Sequence, residues 1–206
     1  MTSSRREFMR TTLVGGAAVG LGATMPAFAL SPTPPEAPAE RKLKLLILGG
    51  TGFLGPHTVR RALARGHEMT LFNRGKTNPS YFPELEKIQG DRNVDISGLA
   101  DRKWDAVIDT SGYYPRQVRT MTELLAPNVG QYVFISSISV YADRSKPGVD
   151  ENSPVGRIAD ETTEKVDGES YGPLKALCEQ AAEAGMPGRA TNIRPGLIVG
   201  PEDPSD

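Results

Sequence analysis

From residue 41 onward, short apolar runs alternate with longer stretches in which apolar residues recur every three or four positions. The run LKLLIL over 43–48 predicts a strand, and the pattern after it predicts a helix over 53–65 that ends at Gly66. EMTLFN predicts a second strand, closed by the turn residues RGKTNP. Further apolar segments follow at LEKIQG, WDAVIDT, QYVFISS and ATNIRP, with helical stretches expected over 115–126 and 173–184. Parallel neighbours need long crossovers and bury both faces of the sheet, so this alternation predicts an α/β fold, a doubly wound parallel sheet with crossover helices.

The first thirty residues follow a different pattern. Arg5, Arg6 and Arg10 precede an uncharged stretch from Thr11 to Leu30 that closes on the small-x-small sequence Ala27-Phe28-Ala29. SRREFM resembles the twin-arginine export signal, which implies a signal peptide over 1–29, export machinery as a transient partner, and a periplasmic or otherwise exported protein. Without cleavage the segment would serve as a membrane anchor, although four glycines and a proline make it a poor span. SPTPPEAPAER puts four prolines into eleven residues, so 30–41 reads as a semi-rigid linker and 42–206 as the folded domain.

Composition changes this picture little. At 206 residues with 38% hydrophobic and 24% charged residues, one ordinary core is expected. The net charge is −1, and loss of three arginines and one glutamate with residues 1–29 would leave about −3. No nucleic-acid partner is expected from that balance. The lone Cys178 cannot form an internal disulfide and reads as packing. His57 and His67 lack metal-ligand company, so no metal is expected, and Trp104 reads as a core or edge aromatic.

Chemistry enters at GGTGFLG, between the first strand and the first helix. Gly49 suits the tight turn, Gly52 lets backbone approach a pyrophosphate, and Gly55 lets the helix pack near the sheet. The helix N-terminus then presents free N–H groups and a positive dipole end to the phosphates. The spacing is G-x-x-G-x-x-G, and it resembles the short-chain dehydrogenase/reductase superfamily in its extended branch, the NAD-dependent epimerase/dehydratase family. Later segments match that family in order: GDR, DTSGYY, FISSISVYA, YGPLK and NIRPGLIVGP.

The resemblance implies a Rossmann-like NAD(P)-binding domain. It assigns Gly49, Thr51, Gly52, Phe53, Leu54, Gly55, Asp91, Thr110, Ser111, Gly112 and Lys175 to the cofactor, and Ser137, Tyr171 and Lys175 to catalysis. Tyr171 and Lys175 lie four apart and so share a helix face, where an ammonium favours the phenolate form of a neighbouring phenol. At the end of the second strand Asn73, Arg74 and Lys76 stand where an acidic residue would hold the 2′-hydroxyl of NAD, so NADP is favoured over NAD.

The function implied is oxidoreduction, epimerisation or dehydration of a carbinol or sugar-type small molecule, with Ser137 positioning the substrate oxygen. The alternative is a non-catalytic NAD(P)- or RNA-binding protein on the same scaffold. A homodimer is one assembly that the resemblance allows. The sequence stops at GPEDPSD, a polar loop, and is read as a fragment that lacks the family's C-terminal substrate domain.

Overall fold

The computed structural model describes residues 37–203 apart from Lys146 and Glu202. The signal expected over 1–29 and the first part of the linker lie outside the described residues. Six strands, β1 (Lys44–Leu48), β2 (Glu68–Asn73), β3 (Glu86–Gln89), β4 (Trp104–Asp109), β5 (Val129–Ile135) and β6 (Ala190–Ile193), form one parallel sheet in the order β3-β2-β1-β4-β5-β6. Among the described residues three helices flank it: α1 (Leu54–Ala64), α2 (Pro115–Leu125) and α3 (Tyr171–Gly185). The expected doubly wound α/β architecture is present, a Rossmann-like fold.

β1 is buried on both faces because every residue from Leu45 to Leu48 is apolar. Leu45 and Ile47 pack with Val59, Ala62 and Leu71 on the α1 side. Leu46 and Leu48 pack with Val107, Met121, Phe134 and Cys178 on the side of α2 and α3. Leu48 is in register with both Phe72 and Asp109, so β1, β2 and β4 reach the same level at their carboxyl ends. The strand order reverses between β1 and β4, and a crevice opens at such a point in folds of this kind.

Three details depart from the sequence expectation. The crossovers flanking β3 carry no α-helix. Gly75, Pro79 and Pro83 interrupt the first, where Tyr81 and Phe82 instead pack around Arg60 of α1. The second makes only the single 3-10 turn Ser97–Leu99, with Leu99 buried. Finally, α3 begins at Tyr171, two residues earlier than expected, because Pro173 falls within its first turn, where a missing N–H costs nothing. Trp104 and Cys178 are buried, as a packing role requires, and burial pushes the Cys178 thiol up to about 12.

Candidate functional site

The carboxyl ends of β1, β2 and β4 surround a cavity of about 630 Å³, walled by residues 49–54, 72–78 and 90–93 together with Thr110, Ser111 and Tyr113. The three glycines of the first loop have different neighbours. Gly49 has φ of +112°, and a β-carbon there would stand 2.5 Å from Thr110 Oγ1. A β-carbon on Gly55 would stand 2.6 Å from the Gly50 backbone. One on Gly52 would meet nothing closer than Thr77 Cγ2 at 3.8 Å. The fold itself therefore requires Gly49 and Gly55, whereas the space before Gly52 is open.

That space faces the start of α1. Phe53, the residue before the helix, has φ of 37°, no side chain caps the helix, and its first turn contains no acidic residue. The Gly55 N–H is taken by the Gly52 carbonyl at 2.8 Å and Pro56 has none, so the loop offers an anion its remaining N–H groups, the positive helix end and the open glycine, a cradle that fits the pyrophosphate of a dinucleotide.

Most of the residues expected at a cofactor line this cavity: Gly49, Thr51, Gly52, Phe53, Leu54, Asn73, Arg74, Lys76, Asp91, Thr110 and Ser111. Gly55, Gly112 and Lys175 are not in its wall. Asn73 acts as a brace, since its Nδ2 donates to the Gly49 carbonyl at 3.3 Å and its Oδ1 accepts from the Gly75 N–H at 2.9 Å. Asn78 Nδ2 donates to the Thr51 carbonyl at 2.9 Å, and Gln89 Nε2 to that of Arg74 at 3.3 Å. The 73–78 turn is thus held against the glycine loop, while Arg74 and Lys76 stay exposed without a carboxylate partner among the described residues. Asp91 turns the chain after β3 by accepting the Asn93 N–H at 2.9 Å. Thr110 and Ser111 donate their hydroxyls to the Leu48 carbonyl at 3.0 and 3.2 Å, tying the end of β4 to that of β1.

The residues expected at catalysis lie in the loop after β5 and in the first turns of α3. That strand stops at Ile135, so Ser137 lies in the following loop, where its Oγ accepts the Ser139 N–H at 3.1 Å and starts a 3-10 turn. Gly172 packs directly on the Ser139 carbonyl, leaving no room for a side chain and bringing the first turn of α3 against the serine turn. Lys175 is only 4% exposed. Its ammonium donates to the carbonyls of Ile135 at 2.6 Å and Gly112 at 3.0 Å and lies 4.1 Å from the Phe134 ring centroid. Burial pulls this ammonium below the ordinary lysine range. Both of these hydrogen bonds go to backbone and neither goes to Tyr171.

Three residues of the site were missed in the sequence. Tyr113 lines the cavity, and the Lys175 ammonium lies 5.8 Å from its ring, so it joins the two ends. It stands in DTSGYY, and the residue after the assigned Gly112 was the available signal. Arg92 follows the assigned Asp91 in GDR and is the cavity's buried cation. Asp167 accepts the N–H groups of Glu169 and Ser170 through Oδ1, at 3.1 and 2.9 Å, while its own N–H donates to Ser170 Oγ. This reciprocal Asp-x-x-Ser arrangement, readable as a capping pattern, leads the chain into Tyr171. His57 and His67 serve contacts within the fold: His57 Nε2 lies 3.2 Å from the Pro201 carbonyl oxygen, and His67 Nδ1 accepts the Leu43 N–H.

Known proteins resemble the chain in both sequence and fold. The 41 kDa chloroplast stem-loop binding protein b of Arabidopsis thaliana is 32% identical over 119 residues, covering 50% of this chain and 31% of the plant protein. UDP-glucose 4-epimerase of Neisseria meningitidis serogroup B is 29% identical over 166 residues, covering 66% of this chain and 46% of the epimerase. The chain thus spans a third to a half of the length of these relatives. Among solved structures, the enzyme WbmH of Bordetella bronchiseptica in complex with NAD+ superposes with a TM-score of 0.64 at 20% identity, over 81% of this chain and 60% of WbmH, a likeness of fold. The sequence profile of one family matches residues 45–206, taking in β1 to β6 and both ends of the site, and the chain belongs to that family, the NAD dependent epimerase/dehydratase family.

Proposed function

We propose that the chain binds NAD(P) in the cavity and serves oxidoreduction at a carbinol carbon of a sugar-type small molecule, as a reductase or as the redox step of an epimerisation or dehydration. The observation that carries this reading is the open face of Gly52 before the uncapped start of α1, joined through Tyr113 to the buried ammonium of Lys175. Residues 49–54 would hold the pyrophosphate, and Arg74 and Lys76 would face a 2′-phosphate, so NADP is favoured over NAD. When bound, the nicotinamide supplies a reversible hydride site. The chain's own part is proton movement: Tyr171 passes the proton of the substrate hydroxyl, Ser137 positions that oxygen, and Lys175 keeps positive charge beside the path. The names of the epimerase relatives support a nucleotide-sugar-like substrate.

Fluorescence titration with NADPH and NADH tests the cofactor. Saturable binding is expected, tighter for NADPH, with the preference lost in Arg74→Ala/Lys76→Ala; absence of any binding overturns the reading. Tyr171→Phe is expected to lower turnover by roughly 10²–10⁴-fold while sparing dinucleotide affinity. The plant relative's name favours a second reading, a non-catalytic dinucleotide- or RNA-binding scaffold, in which Tyr171→Phe changes nothing measurable. We also propose that residues 1–29 direct export of the folded, cofactor-loaded chain by the twin-arginine route. Replacing Arg5 and Arg6 with lysine should then retain the protein in the cytoplasm.

A further inference from the structure

Asp109 closes β4 and is completely buried, and four donors converge on its carboxylate. Arg92 contributes Nη1 and Nη2 at 3.1 and 3.0 Å, the Tyr132 hydroxyl donates at 2.6 Å, and the Ser111 N–H at 3.0 Å. Burial pushes the carboxyl up more than any one neighbour pulls it down, yet the Arg92 charge and the hydrogen bonds from Arg92, Tyr132 and Ser111 together hold Asp109 below the ordinary carboxylate range. An ion pair this deep adds little stability over apolar residues of the same volume, so its presence points toward fixing one arrangement of its neighbours.

Those neighbours connect the two ends of the site. Arg92 Nη2 also donates to Ser111 Oγ at 3.3 Å, and Ser111 Oγ donates to the Leu48 carbonyl. The turn from Asp109 to Gly112 is therefore held by β1, by β5 through Tyr132, and by the segment after β3. It has no slack: a β-carbon on Gly112 would stand 2.7 Å from Phe134 and 2.9 Å from Val118. The next carbonyl, that of Gly112, accepts the Lys175 ammonium. Arg92 and Ser111 face the cavity, and Lys175 belongs to the acid–base end.

We propose that Arg92 and Asp109 are positioning residues, a buried pair that fixes the 109–112 turn and, through the Gly112 carbonyl, sets the Lys175 ammonium in register with the dinucleotide cavity. The cavity's role rests on the proposed function, while the hold on Lys175 does not. Two variants test the pair. Arg92→Lys keeps the charge and loses the two-pronged grip, and Arg92→Met/Asp109→Leu/Tyr132→Phe removes the whole network and its desolvation cost together. The first readout is the Nζ resonance of Lys175 in lysine-¹⁵N-labelled protein, assigned by its absence in Lys175→Met. The second is NADPH affinity, and the third is the thermal midpoint.

In the triple variant the midpoint is expected to stay within a few degrees while the Lys175 resonance shifts or broadens and the NADPH Kd rises at least about tenfold. Arg92→Lys, where it folds, should show the same spectral change to a smaller degree. An unmoved Lys175 resonance in the folded triple variant overturns the proposal, whatever happens to the midpoint. If the unsubstituted chain binds no dinucleotide, the proposed function fails, and the resonance alone still decides the positioning role.

Discussion

Gly52 and Gly55 carry the same side chain for opposite reasons, and substitution separates them. A β-carbon on Gly55 would press 2.6 Å from the Cα and carbonyl carbon of Gly50, two backbone atoms that cannot swing aside. Gly55→Ala must therefore part α1 from the turn after β1, and we expect a loss of about 1–3 kcal/mol in chemical denaturation. Gly52→Ala should change stability by no more than about 0.5 kcal/mol, because its β-carbon enters open space. If that space is where phosphates lie, the same methyl weakens NADPH binding at least about tenfold, read by titration. A Gly52→Ala protein that binds like its parent would remove the cradle from this loop. A Gly55→Ala protein of unchanged stability would show that the loop adapts more freely than its contacts imply.

At the scale of elements, the first turn of α3 matters most, because Tyr171 is its first residue and Lys175 lies one turn on. Asp167 holds that start. The Ser170 N–H foremost, then Lys165 and the neighbouring backbone, keep its carboxyl far below the ordinary range. Because the folded-state value is depressed, the cap is present at neutral pH and is lost as pH falls below the carboxylate range. Asp167→Ala should speed amide hydrogen exchange at Tyr171, Gly172 and Leu174 near neutral pH, leaving Ala181 and Ala182 protected; unchanged exchange at the first three would mean that packing alone starts the helix. This start was not legible in the hydrophobic pattern. Tyr171 and Gly172 break the apolar period, Pro173 discourages a helix assignment, and the cap depends on a reciprocal pair of side chains. β1, β2 and α2 were legible because a two-sided apolar strand or a regular amphipathic face is a strong local pattern. The crossovers beside β3 were not, since prolines and tertiary contacts decide them. In the site, the glycine loop could be read from its place between a strand and a helix, whereas Ser137, Tyr171 and Lys175 were assigned only through the family resemblance. Arg92, Asp109 and Tyr132 could not be read, because only the fold brings positions 92, 109 and 132 together.

For the whole molecule, that buried network predicts how the protein meets acid. Several carboxylates are held low by a cation: Glu68 by Lys42, Glu86 by Arg102, Glu164 by Arg116 and, far more deeply, Asp109 by Arg92. Each has a folded-state value below its unfolded one, so each contributes stability above about pH 4 that is lost as pH falls through the folded value. The first three pairs are at the surface, where salt screens them, with a Debye length of about 3 Å at 1 M. The pair with Asp109 lies much deeper, with side chains 9% and 0% exposed, and salt screens it far less. The thermal midpoint should therefore fall as pH drops below about 4 even in 1 M salt, and this salt-resistant fall should be absent from Arg92→Met/Asp109→Leu/Tyr132→Phe. If 1 M salt removes the acid limb from the unsubstituted chain, surface pairs set its acid stability. If the triple variant keeps the limb, the pair of Asp109 with Arg92 is not its source.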